Sequence, residues 1–165
     1  MIVLQNILVA TDFSEPSDAA LAYGRQLART FGARLTLFHA AENLASKGYG
    51  ADGFVFIDPD LQRQVEAAAR KNAQALLSDE DRNELSAEAV VVTAVSAASA
   101  ITEYARQEQI DLIVVGTHGR GAVAHLMMGS VAERVVRTAP CPVLTVRHPE
   151  REFLLPDALV ALTAA

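Results

Sequence analysis

Five short runs rich in Val, Ile, Leu and Ala recur along this sequence, at residues 7–10, 35–40, 89–95, 112–115 and 143–146, with segments of helical period between them. Because none alternates strictly between apolar and polar residues, each is expected to be buried on both faces, as central strands of a parallel sheet are. Such strands separated by helix-length segments define an α/β fold with helices on both faces of the sheet. The first run starts at Ile2 at the earliest.

The intervening helices have their own punctuation. Ser14 is a natural N-cap and Pro16 suits a first turn, where a missing N–H breaks no intrahelical bond. Ala20, Tyr23, Leu27 and Phe31 then mark an inward face, and Gly32 ends the helix. A second helix is expected over about residues 59–77, with Leu61, Val65, Ala68, Ala69, Ala73, Leu76 and Leu77 inward. A third covers about residues 98–109 through Ile101, Tyr104 and Ala105. The fourth starts near Ser130, turns Val131, Val135 and Val136 inward and stops before Pro140 and Pro142. Residues 41–58 lack a clear period and contain Gly48, Gly50 and Gly53, so they read as a mobile loop or lid.

At 165 residues, 51% of them apolar, the chain suits one domain with a core of its own. Cys141 stands alone, so no intrachain disulfide forms, and no Cys/His spacing suggests a zinc site. A reducing, cytoplasmic setting is expected, because the start lacks the marks of a signal peptide and no apolar stretch reaches the ~20 residues of a membrane span. A net charge of -6 disfavours nucleic acid as a partner. The charge is uneven, however. Residues 117–147 carry Arg120, Arg134, Arg137 and Arg147 against Glu133 alone, with His118 and His125 besides, which favours a bound anion.

Glycine is concentrated in the same place, at Gly116, Gly119, Gly121 and Gly129. Gly116-Thr117-His118-Gly119 follows the fourth apolar run and so sits at a strand's carboxyl end, where ligands of open α/β sheets bind. Gly129-Ser130 opens a helix whose first N–H groups lack intrahelical partners and whose dipole favours negative charge. A Walker A loop is absent, since no Lys follows Lys71, and the first strand is followed by Ala10-Thr11-Asp12-Phe13-Ser14 rather than G-x-G-x-x-G.

Gly116-x-x-Gly119, nine residues, then Gly129-Ser130 resembles the G-x-x-G-(nine residues)-G-[ST] nucleotide motif of ATP-binding members of the universal stress protein family. So do Val9-Ala10-Thr11-Asp12-Phe13-Ser14, Leu37-Phe38-His39, Asp111-Leu112-Ile113-Val114-Val115, Val131-Ala132-Glu133-Arg134-Val135 and Ala139-Pro140-Cys141-Pro142-Val143-Leu144. The likeness runs from about residue 4 to residue 147. It implies a universal stress protein domain over residues 1–148, with a tail over 149–165. The implied fold is a five-stranded parallel sheet of order 3-2-1-4-5, Rossmann-like and similar to the adenine nucleotide alpha hydrolases.

The resemblance further implies ATP between the ends of the first and fourth strands. Asp12 would approach ribose or adenine, Ala40 would contact adenine, and Gly116, Gly119, Gly129 and Ser130 would hold ribose and phosphates. Arg120 is the better cationic candidate for phosphate, because its guanidinium donates in a fork and stays charged. Mg²⁺ or Mn²⁺ would be held mainly by phosphate oxygens. A homodimer would pair the last strand, which starts at Pro142 and ends at Val146. The sequence departs from the family pattern at Ser96, where glycine is common, at Ala40, where valine is common, and in the tail after His148.

Each candidate also has a plainer reading. Asp12 or Ser130 can serve as a helix cap, His118 and His125 as loop residues, and His39 as a satisfied core histidine. Met127 and Met128 read as packing residues. Cys141, with no activating partner in sequence, reads as structural. The leading expectation is an ATP-binding stress-response regulator or interaction module. A slow ATPase or autophosphorylating enzyme and a nucleotide-free scaffold are the alternatives. Efficient phosphoryl transfer needs a base or water-orienting group, and the sequence identifies none.

Overall fold

The computed structural model describes residues 2–47, 49–50, 53–54, 58–117 and 129–147. In chain order the elements are β1 (Asn6–Ala10), α1 (Glu15–Phe31), β2 (Arg34–Glu42), a 3-10 turn (Leu44–Lys47), β3 (Tyr49–Gly50), β4 (Gly53–Phe54), α2 (Pro59–Leu76), α3 (Asp79–Glu84), β5 (Glu88–Ala94), α4 (Ala97–Gln107), β6 (Leu112–Gly116), α5 (Ser130–Thr138) and β7 (Val143–Val146). Among the described residues, five strands form a parallel sheet in the order β5-β2-β1-β6-β7, the 3-2-1-4-5 arrangement expected.

Successive side chains of a strand point to opposite faces, and the core divides accordingly. Ile7, Val9, Leu35, Leu37 and Val114 pack with α1 and the end of α2 on one face. Leu8, Phe38, Ile113 and Val115 pack with α4 and α5 on the other. The central strand β1 is fully buried at Ile7, Leu8 and Val9. It begins at Asn6, one residue before the run at 7–10, and Asp111 Oδ2 accepts from the Gln5 and Asn6 N–H groups at 2.7 and 2.9 Å where the strand starts.

The helices bury smaller residues than the sequence pattern suggests. On α1 the buried positions are Ser17, Ala20, Leu21, Gly24 and Ala28, whereas Tyr23 and Phe31 are exposed. Gly24 explains the choice, since a Cβ there would collide with Val9 Cγ2 of β1. A helix that approaches the sheet this closely must present small side chains. On α2 Ala69 and Ala73 are buried while Leu61 is exposed. On α5 Ala132 and Val135 are buried, and Val131 and Val136 are exposed.

Two further departures lie between β2 and β5. β2 continues through Glu42 because β5 runs beside it to Ala94. The next residues are fastened to α2, with Leu44 N–H donating to Gln62 Oε1 at 3.0 Å and Gln62 Nε2 donating to the Glu42 carbonyl at 3.2 Å. The expected lid thus holds a 3-10 turn and the antiparallel β3–β4 pair, while Gly48 and residues 51–52 and 55–57 lie outside the described residues. The second departure is α3, which the periodicity does not show. It is nucleated by a capping box between Ser78 and Asp81. The tail over 149–165 lies outside the described residues.

Candidate functional site

A cavity of about 410 Å³ opens over the carboxyl ends of β1, β2 and β6. It lies where the connections from β1 and β6 diverge to opposite faces, the position at which open α/β sheets bind ligands. Of the residues singled out in sequence, Asp12, Ala40, Gly116, Gly129 and Ser130 all line it. Gly119 and Arg120, together with His118, His125, Met127 and Met128, lie outside the described residues.

One wall is apolar. Phe38, Ala40, Ala97 and Ile101 line it from β2 and α4. Thr11 N–H donates to the Phe38 carbonyl at 2.9 Å, so the peptide groups of Phe38 face β1. Peptide groups alternate in direction along a strand, and Ala40, two residues on, turns its N–H and C=O to the same side. β1 ends at Ala10, so Ala40 presents this donor and acceptor beyond the strand that would otherwise pair them. Ser96, the residue that replaces a common glycine, caps α4 by accepting from Ser99 N–H at 3.3 Å.

The opposite wall is the amino end of α5. Gly129 is its N-cap and Ser130 its first helical residue, which corrects the reading of Ser130 as the cap. Gly129 N–H donates to the Thr117 carbonyl at 2.6 Å and joins the two ends of the glycine segment. Thr117 N–H donates to Val146 at 2.8 Å. With Gly129 N–H engaged in this way, the first-turn N–H groups without intrahelical partners belong to Ser130, Val131 and Ala132, all of which line the cavity. Gly116 answers a packing demand as well, because a Cβ there would lie 2.8 Å from the Pro16 carbonyl oxygen in the first turn of α1.

Between the two walls stands the end of β1. Asp12 lies two residues before the α1 N-cap, which is Ser14. Its Oδ1 accepts from Ser14 N–H at 3.2 Å and from Ser14 Oγ at 2.5 Å. Phe13 between them adopts φ 63°, the left-handed conformation that is uncommon outside glycine. Its N–H donates to Thr11 Oγ1 at 3.0 Å, and its ring lies 4.4 Å from that of His39. His39 Nδ1–H donates to the Thr11 carbonyl at 2.8 Å. His39 thus has the satisfied partner expected of a core histidine, while it also lines the cavity. Thr11 and Ser17 share a buried hydroxyl contact of 3.1 Å. Away from the cavity, burial pushes the Cys141 thiol up, with Asp111 adding to the effect, as suits an unreactive cysteine.

Sequence reasoning passed over Phe38, Ile101, Thr11 and Ser17 as cavity residues. Phe38 carries a usable signal, since it shares a strand face with Ala40. The Thr11–Ser17 pair has none, because two hydroxyls six residues apart meet only once the turn through Phe13 and the first turn of α1 have formed.

A cleft joining an apolar strand-end wall to a helix amino terminus over a 3-2-1-4-5 sheet defines a Rossmann-like α/β protein with a cavity at the switch point. Within that class the chain belongs to the universal stress protein family, whose sequence description matches residues 4–147. A universal stress protein of Thermus aquaticus is 36% identical over 146 residues, covering 88% of this chain and all of the relative. Universal stress protein A homolog 2 of Coxiella burnetii is 33% identical over 144 residues, covering 87% of this chain and 94% of the relative. Among solved structures, UspA from Lactobacillus plantarum superposes with a TM-score of 0.71 at 25% identity, over 89% of this chain and 100% of that one. A universal stress protein in complex with cAMP gives 0.56 at 26% identity, over 88% of this chain and 98% of that one.

Proposed function

We propose that this chain binds ATP in the cavity over β1, β2 and β6 and acts as a nucleotide-dependent stress-response regulator or interaction module. The observation that carries the reading is the order of chemistry across the cleft. The Ala40 donor and acceptor suit the edge of a base within an apolar slot. The amino end of α5 suits phosphate. β1 lies between β2 and β6 in the sheet, so a nucleotide stretched from β2 to α5 carries its sugar over Asp12, whose carboxylate accepts hydrogen bonds from hydroxyls and repels phosphate. The family member solved with cAMP supports an adenine nucleotide as the ligand class. Gly119 and Arg120 would complete the phosphate end, and Mg²⁺ or Mn²⁺ would ride on phosphate oxygens. Binding rather than turnover is the proposed activity: Asp12 is the one carboxylate among the described residues lining the cavity, Ser14 engages it, and the sugar would occupy it further.

Calorimetric titration with ATP and Mg²⁺ tests this. The unsubstituted protein should bind, Ala40→Phe should fill the base slot and Gly119→Glu should set a charge against the phosphates. Binding unchanged in both variants, or absent from the unsubstituted protein, overturns the reading. The proposed output is conformational or oligomeric, through a homodimer paired along the outer edge of β7.

A further inference from the structure

We propose that Ser14 is a positioning residue for the ligand's sugar, acting through Asp12, an inference that rests on the nucleotide reading above. A carboxylate at the end of a strand, followed by a turn, has several side-chain rotamers open to it. Here one is selected. The Ser14 hydroxyl donates to Asp12 Oδ1 at 2.5 Å, and the Ser14 N–H donates to the same atom at 3.2 Å. Hydrogen bonds to an ionised acceptor are shorter and stronger than neutral ones.

The turn that allows this is itself held. Phe13, between Asp12 and Ser14, takes the left-handed conformation, which is disfavoured for a residue with a side chain. The Phe13 N–H bond to Thr11 Oγ1 and the Phe13–His39 ring contact keep it in place. Ser17 Oγ donates to the Ser14 carbonyl at 2.8 Å and accepts at 3.1 Å from Ser14 N–H, which is shared between Ser17 and Asp12, fixing the other side of the turn to the first turn of α1. The carboxylate therefore meets the cavity in an orientation set before a ligand arrives. Such preorganisation strengthens binding by removing an ordering cost. Its beneficiary is the part of the ligand that donates to a carboxylate, the vicinal 2′- and 3′-hydroxyls of a ribonucleotide.

Ser14 also caps α1, and the test separates the two roles. Glycine is well tolerated at an N-cap, so Ser14→Gly removes the hydroxyl with little loss of capping, and Ser14→Thr restores it. Calorimetric titration of each with ATP and with 2′,3′-dideoxy-ATP gives the readout. In Ser14→Gly, affinity for ATP should fall about tenfold, the scale of one hydrogen bond to a charged group, while affinity for the dideoxy compound changes by less than about twofold. Ser14→Thr should restore the preference for the ribonucleotide. Equal losses for both nucleotides, or none for either, overturn the positioning role and leave the nucleotide reading intact. Failure of the unsubstituted protein to bind ATP overturns both.

Discussion

Asp81 shows how much one side chain can hold in this fold. It is 1% exposed, and its carboxylate accepts from Arg25 Nε at 3.0 and 3.1 Å, from Arg25 Nη2 at 2.8 Å and from Ser78 N–H at 3.0 Å. Arg25 Nη2 also donates to the Leu76 carbonyl at 2.6 Å, so one ion pair joins α1, the end of α2 and the start of α3. Burial alone would raise the Asp81 carboxyl, but Arg25 and Ser78 outweigh it and hold the group below its usual range. A carboxyl lowered in the folded state adds stability above its unfolded pKa of about 3.9 and loses it as pH falls through the folded value. Asp81→Ala should destabilise the protein by about 3 kcal/mol, the lower end for a broken buried pair because Arg25 is partly exposed, as read by urea unfolding at neutral pH. Asp81→Asn should show a shallower loss of stability below about pH 4 than the unsubstituted protein in the same assay. None of this is visible in sequence, where Asp81 is one acid in a run of charged residues. Asp12 and Ala40, by contrast, are recognisable because they stand at fixed offsets from apolar runs.

At the scale of elements, strands were more legible than helix faces. The runs at residues 35–40 and 112–115 are found inside β2 and β6, and Val143–Val146 is β7 itself, because a strand buried on both sides leaves little room for other residue types. Helix faces follow a second rule, the closeness of approach to the sheet, which a hydrophobicity pattern does not register. Tyr23 and Phe31 share one side of α1 at four-residue multiples, yet Gly24 and Ala28 meet the sheet. Gly116 follows the same steric logic at the junction of β6 with α1. Gly116→Ala should force Pro16 away and destabilise the fold by roughly 1–3 kcal/mol, the usual cost of overpacking, with the midpoint of thermal unfolding as the measure. Gly32→Ala should cost about 1 kcal/mol for a different reason. Nothing lies within 4 Å of the added carbon, and the penalty comes from φ 65° alone.

For the whole molecule, β5 and β7 are the two terminal strands of the sheet among the described residues, and none of those residues pairs with the outer edge of β7, where exposed backbone groups would favour pairing with a second chain. Light scattering at micromolar concentration should give twice the chain mass, and a monomer would refute the proposed dimer. The strand order also has a consequence in time. β1 obtains its first neighbour, β2, almost as soon as both are synthesised, but its other edge waits for β6, which begins at Leu112. At translation rates of about 5–20 residues per second, the Ile7–Leu8–Val9 edge at the centre of the future sheet stays open on the ribosome for roughly 5–20 s. The most buried strand of the finished protein is thus the one that a nascent-chain chaperone has longest to find.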